Sequence, residues 1–223
     1  NMGAGGTELG LLAASYAVMR LIFGPIWGGL SDRMGRKPIL LIGILGYVIT
    51  MVWFGLATQL WMLFAARILS GILSSATAPT TMAYIGDSTS EEERGGGMGL
   101  LGAAGGIGTI AGPAVGGFLA TTSLSLPFFV AAGMALLSLI LAVIFLPESH
   151  PAPEPGSIKE REPIVDLRAW WQALFSPVGI LFLLTFISTS GLMIFANVFG
   201  LYGLERFNYG PEDVGIVMMV LGI

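Results

Sequence analysis

The chain has 223 residues, 54% of them hydrophobic, with only 10 basic and 14 acidic side chains, 11% of the total. Soluble domains carry about 25% charged residues, and at a mean hydropathy of +0.82 too little polar surface is left to cover a water-exposed globule, which excludes a soluble enzyme. The net charge of −4 excludes a nucleic-acid partner, which needs a basic face. With no cysteine and a single histidine, His150, neither thiolate chemistry nor a metal cluster is expected.

Apolar runs between helix breakers predict an all-α membrane protein with about six full transmembrane helices and the start of a seventh. The spans cover residues 9–30, 39–57, 61–85, 98–119, 127–146 and 178–202. The last opens at Pro211, where proline suits a first helical turn and Glu212 and Asp213 suit the positive end of the helix dipole. A β-barrel is excluded, because its strands alternate apolar and polar residues whereas these runs are continuously apolar. The start at Asn1 without a basic leader, and the stop at Ile223 within an apolar run, predict a chain cut at both ends.

Arg33, Arg36, Lys37, Arg94, Lys159, Arg161 and Arg168 fall on one side if the loops alternate, and Arg206 alone on the other. The crowded side is therefore cytoplasmic, which places loops 31–38, 86–95 and 147–176 there and starts the first span outside. A protein beginning in the cytoplasm would need one more span before Leu9. Segment 147–176 opens with the Pro/Glu/Lys composition of an unpacked linker. It continues with Leu167, Trp171 and Leu174 at helical spacing beside Trp170, which predicts a short helix at the membrane interface. The expected organisation is an N-terminal transmembrane bundle over 1–146, a cytoplasmic linker with an interfacial helix over 147–176, and the start of a C-terminal bundle over 177–223.

The turn between the first two spans reads GGLSDRMGRKPIL. A positive-inside loop explains its basic residues but not an acid set between glycines at the end of a span. Gly28-x-Leu30-x-Asp32-Arg33-x-Gly35-Arg36-Lys37 resembles the signature loop of the major facilitator superfamily almost position for position. In the fourth span, Gly108, Gly112 and Gly116 recur every four residues and put a bare stripe on one face, where another backbone can approach. Pro113 removes a backbone donor and can bend that helix. The string GIGTIA also fits a dinucleotide-binding pattern, but no strand precedes it. Gly108-x-x-x-Gly112-Pro113-x-x-Gly116-Gly117 is similar to the motif of the antiporter branch of the superfamily, the drug/proton exporters of multidrug or tetracycline type.

Two arginines lie inside spans. Arg67 is about 9 Å in from Trp61, and a mid-membrane arginine costs about 2.5–3.5 kcal/mol, so it is expected to face a cavity or a partner unless it snorkels to the interface. Arg67-x-x-x-Gly71 is similar to the superfamily's arginine helix, which implies a part in proton coupling, although Ser70 stands where the family has glutamine. Arg20 is central in the first span, where a cavity and a structural ion pair remain equal alternatives. Asp87 closes the third span, and the resemblance implies that it pairs with Arg36 as part of a cytoplasmic latch favouring the outward-open state. Ser188, Thr189 and Ser190 are read as bonding back to their own helix, and Asn197 is a weak substrate-contact candidate. Leu146-Pro147-Glu148 also resembles the end of the family's sixth helix.

The resemblance covers nearly the whole chain and would make the spans helices 2 to 7 and the start of helix 8, with helix 1 and the last helices absent. It implies a secondary active transporter of the cytoplasmic membrane that exports small organic compounds by alternating access. The proton gradient is its energy source, without a cofactor. Its partners are the lipid bilayer, the small-molecule substrate and protons, and the complete protein is monomeric. The alternatives are a sugar or metabolite transporter of the same superfamily and, more remotely, a membrane-embedded enzyme or a non-transporting receptor. The spans carry no Ser/His/Asp, metal-ligand or phosphate-loop constellation for the enzyme reading.

Overall fold

The computed structural model describes residues 5–150, 171–172, 174–176 and 179–222. Most of the expected interfacial helix, including Leu167 and Trp170, lies outside these residues, as do linker residues 151–170 and the side chain of Asn197. In chain order the elements are α1 (Gly6–Met34), α2 (Arg36–Leu56), α3 (Leu60–Leu73), a 3-10 turn (Ser74–Ala76), α4 (Thr77–Ser88), α5 (Glu91–Thr122), α6 (Leu126–Phe145), α7 (Gly179–Phe207) and α8 (Pro211–Leu221). Among the described residues there is no strand. Among the described residues six segments are long and apolar enough to cross a membrane: α1, α2, the stretch Leu60–Ser88, α5, α6 and α7. The protein is a multi-pass, all-α membrane protein.

Helix ends extend past the apolar runs where polar residues cap them. Helix α5 starts at Glu91, seven residues ahead of the expected boundary at 98, because Ser90 is its N-cap: its Oγ accepts from the Glu93 amide at 3.3 Å. Glu91, Glu92 and Glu93 then sit in the first turn, where carboxylates oppose the helix dipole favourably. Helix α8 begins at Pro211 as expected, with Asp213 accepting from the Gly210 amide at 2.9 Å.

The third span is not one continuous α-helix. Pro79 lacks the amide that would bond to the Ser75 carbonyl, and its ring would crowd that carbonyl in an α-helix. The chain tightens into the 3-10 turn Ser74–Ala76 just ahead of it. The Ile72 carbonyl at this break accepts from Ser75 Oγ at 2.8 Å and from Trp27 Nε1 of α1 at 2.6 Å.

Small residues set how closely the helices approach, as expected where lipid removes the hydrophobic drive for association. On α2, a Cβ at Gly43 would lie 2.7 Å from Thr77 Oγ1 and one at Gly46 would overlap Leu73. Gly55 faces the Phe129 ring of α6. Met51, Phe54, Ala66 and Ala132 form the buried cluster between α2, α3 and α6, with Phe54 stacked on Phe128 at 5.4 Å.

Candidate functional site

The ends of α1, α4 and α6 and the start of α2 converge on one rim around the Gly35 turn. Gly35 is at once the last cap of α1 and the first cap of α2, with φ +98° and ψ 154°, a conformation that side chains rarely adopt. The next residue, Arg36, is buried, only 7% exposed although it is charged. Its Nε donates to Asp87 Oδ2 of α4 at 2.8 Å. Its Nη1 reaches Asp32 Oδ1 at 2.5 Å and Ser31 Oγ at 2.6 Å. The planar guanidinium suits this arrangement because its fixed fork reaches several acceptors at once. Asp32 and Arg33 are exposed in the last turn of α1, and Gly28 lies one turn deeper, its carbonyl accepting from Ser31 Oγ at 2.7 Å.

Glu148 enters the same cluster without having been assigned a role from sequence. Its Oε1 accepts from the Arg36 amide at 2.8 Å, and its Oε2 accepts from the Lys37 amide at 3.2 Å. The carboxylate thus covers two of the free N–H groups at the start of α2. It packs so closely on the turn that a Cβ at Gly35 would stand 2.7 Å from Oε2. Lys37 Nζ bonds back to the Val143 carbonyl at 2.9 Å, and Tyr84 Oη bonds to the Pro147 carbonyl at 3.0 Å. The sequence holds one usable signal: Pro147 stops α6 and places an acid directly after it.

The two span arginines are placed differently. Arg67 of α3 is half-buried, with its guanidinium carbon 5.7 Å from the Tyr16 ring of α1 and 5.2 Å from the Phe54 ring of α2. Its Nε is buried without a hydrogen-bond partner among the described residues. Gly71, one turn further along α3, lets α1 pass close by: a Cβ there would lie 2.8 Å from the Tyr16 carbonyl oxygen. Arg20 is exposed on α1 and makes no ion pair with a described residue.

The glycine-rich helix α5 meets α8 backbone to backbone, but not through the stripe expected from sequence. A Cβ at Gly108, Gly112 or Gly116 would meet nothing within 4 Å. The contact lies one residue round the helix, at Pro113 and Gly117. A Cβ at Gly117 would fall on the Pro211 carbonyl, and one at Gly215 would stand 2.5 Å from the Pro113 carbonyl. The two glycine Cα atoms are close enough that either added Cβ lies 3.2 Å from the other's Cα. Beside this seam an apolar cavity of about 470 Å³ opens between α5, α7 and α8, lined by Ala120, Leu204, Tyr209 and Val214 among others.

The whole chain, residues 1–223, matches the Major Facilitator Superfamily. It is 36% identical over 214 residues to Multidrug resistance protein 1 of Bacillus subtilis, covering 96% of this chain and 54% of that protein. It is 35% identical over 214 residues to the class E Tetracycline resistance protein of Escherichia coli, covering 96% and 53%. The chain thus spans about half the length of the curated relatives it matches. Among solved structures, the human organic anion transporter MFSD10 superposes with a TM-score of 0.68 at 21% identity, over 96% of this chain and 53% of that one, a likeness of fold.

Proposed function

This chain belongs to the Major Facilitator Superfamily, and we propose that it works within a proton-coupled exporter of small organic compounds in the cell membrane. The observation that carries this reading is the α5–α8 seam, where Pro113 and Gly117 of the antiporter-type motif meet Pro211 and Gly215. The resemblance to multidrug and tetracycline resistance proteins supports export over uptake of sugars or metabolites. Residues 1–146 form one bundle and those from 177 onward begin a second, tethered by 147–176. The substrate binds between them near the bilayer midplane.

In this reading Asp32, Arg36 and Asp87 are the cytoplasmic latch, Arg67 is the electrostatic partner of the proton-binding acid, and residues 108–117 are the hinge at which the bundles part. The bundles rock about the seam, protons enter as the compound leaves, and the transporting unit is a monomer in the bilayer. One charge moved through 100 mV supplies about 2.3 kcal/mol, about a fiftyfold concentration ratio per proton.

The test is dye accumulation in cells making the full-length protein, with a panel of cationic, neutral and anionic dyes and with or without a protonophore. Low accumulation of at least one dye, abolished by the protonophore and by Arg67→Ala, is the expected result. Accumulation of every dye indifferent to both expression and Arg67→Ala would overturn the exporter reading.

A further inference from the structure

Arg67 meets aromatic rings from two neighbouring helices. Its guanidinium carbon stands 5.7 Å from the centre of the Tyr16 ring of α1 and 5.2 Å from that of the Phe54 ring of α2. Both lie within the roughly 6 Å over which a ring quadrupole attracts a cation, an attraction that grows where water is excluded. Phe54 is buried. The attraction draws on the charge and spends none of the guanidinium's N–H donors. A cation placed this way can still offer those donors to a carboxylate.

Both rings are themselves fixed by packing. Phe54 stacks on Phe128 of α6 at 5.4 Å and belongs to the cluster with Met51, Ala66 and Ala132. Ala66 directly precedes Arg67, so the same cluster anchors the arginine's own backbone. Tyr16 sits on a stretch of α1 that α3 grips at two points. One turn beyond Arg67, Gly71 brings α1 so close that a Cβ there would lie 2.6 Å from Met19 Cβ and 2.8 Å from the Tyr16 carbonyl oxygen. Beside it, the Ile72 carbonyl accepts from Trp27 Nε1 at 2.6 Å. The glycine contact and the indole bond set where the Tyr16 ring meets Arg67, and the aromatic cluster does the same for Phe54.

We infer that Tyr16 and Phe54 are positioning residues for proton coupling: their rings hold the Arg67 guanidinium at one distance from the proton-binding acid. This inference rests on the exporter reading, in which Arg67 is that acid's electrostatic partner. A cation at fixed close range favours the ionised carboxylate and a loosened one does so less, so without a ring the acid keeps its proton to higher pH. Exchanging a proton for the compound requires release of that proton on the cytoplasmic side, and export then needs a more alkaline cytoplasmic side. Among the described residues, the titratable groups that face Arg67 are Tyr16 of α1 and Tyr47 of α2. Phenols as a class titrate far above neutral pH. Arg20, one turn from Tyr16 on α1, is charged throughout. None of the three moves a profile read between about pH 5 and 8.

The test is transport by the full-length protein in inside-out vesicles, with ethidium, Nile red and fluorescein as cationic, neutral and anionic probes. Both faces are titrated at a fixed pH difference, so the driving force stays constant while the cytoplasmic-side pH scans the midpoint of transport. Tyr16→Leu is expected to raise that midpoint by about half to one pH unit, and Tyr16→Phe, which keeps a ring, to leave it in place. Replacing Phe54 with mono-, di- and trifluorinated phenylalanine weakens the ring's attraction for a cation in steps at nearly constant shape. The midpoint is expected to climb with each fluorine. A ring that only fills space would change the amount or rate of transport, not the pH at which it is half-maximal. A midpoint unmoved or lowered by Tyr16→Leu, moved as far by Tyr16→Phe, or indifferent to fluorination at Phe54 would overturn the inference and leave the exporter reading standing. Should Tyr16→Leu fail to reach the membrane, the fluorinated series decides alone. Indifference of all three dyes to expression would overturn the exporter reading and this inference with it.

Discussion

At the basic rim, Arg36 reaches Asp32, Ser31 and Asp87 with its side chain and Glu148 with its amide, while Lys37 and Tyr84 fasten the end of α6 beside it. At the seam, Gly117 lies 26 residues along α5 from Glu91, about 39 Å away. There α5 and α8 touch through bare backbone, and no side-chain hydrogen bond or ion pair joins them among the described residues. Directional polar bonds hold α1, α2, α4 and α6 together, and moving Asp87 away would leave the buried Arg36 guanidinium with the exposed Asp32 as its remaining described carboxylate. Glycine contacts rest on dispersion and close fit, which can be made and broken without stranding anything. The rim cluster joins only helices that precede the linker, whereas the seam joins a helix before it to one after it. In the proposed reading the latch cluster ties its own helices into one rigid body, and the seam is the place where two bodies part.

The largest expected effect comes from breaking the rim. Arg36→Ala leaves Asp87 and Asp32 without their cation and Ser31 Oγ without one of its partners. The expected loss is about 3 kcal/mol, toward the lower end for a broken buried pair because Asp32 is exposed. It is read as a drop in the thermal midpoint of the full-length protein in detergent. Arg36→Lys restores only part, because a single ammonium cannot span Asp87 and Asp32 as the guanidinium fork does. Equal stability of Arg36→Ala and the unaltered protein would show that the rim is not the rigid side of the comparison.

Next in size is the seam. Gly117→Val sets a branched side chain onto the Pro211 carbonyl, and overpacking of this kind costs about 1–3 kcal/mol. Because the contact can open, the strain is expected to be relieved by parting α5 from α8, so export falls while the thermal midpoint barely moves. Gly112→Val is the contrast within the same hinge, since a Cβ there meets nothing within 4 Å, and it is expected to impair export less than Gly117→Val. If Gly112→Val and Gly117→Val are equally impaired, the stripe rather than the seam is the working face.

Glu148 sharpens the rim side of the comparison. Glu148→Ala uncaps the Arg36 and Lys37 amides and is expected to lower stability by about 1–2 kcal/mol. Glu148→Gln, whose amide oxygen still accepts, is expected to lose less than half of that. If Gln is as harmful as Ala, charge rather than capping is what Glu148 supplies.

These residues also mark what could be read in advance. The helices follow from apolar runs and breakers because lipid forces long uninterrupted helices, and the 3-10 turn was available in Pro79. The glycines of α5 give a period of four but not a phase: the sequence cannot say which of two adjacent faces meets a neighbour, and α8 meets Pro113 and Gly117. Glu148 was hidden for a different reason. It lies 112 residues from Arg36, and capping rules read only a few residues around a helix start. A cap delivered from another helix leaves no local trace.

The smallest effect tests whether a polar bond outside the rim also fixes the rigid body. Trp27 of α1 donates to the Ile72 carbonyl at 2.6 Å, at the break between α3 and α4. Trp27→Phe keeps an aromatic ring and removes the donor. Ser75 Oγ still reaches the same carbonyl, so the acceptor is not stranded and the loss is expected to be about 1 kcal/mol or less. Hydrogen exchange should locate it: the amides of residues 72–76 are expected to exchange faster in Trp27→Phe, while those of Arg36 and Lys37 stay protected. Faster exchange at Arg36 as well would mean that the α1–α3 bond and the rim cluster open together, which extends the rigid body from the rim into the middle of the bundle.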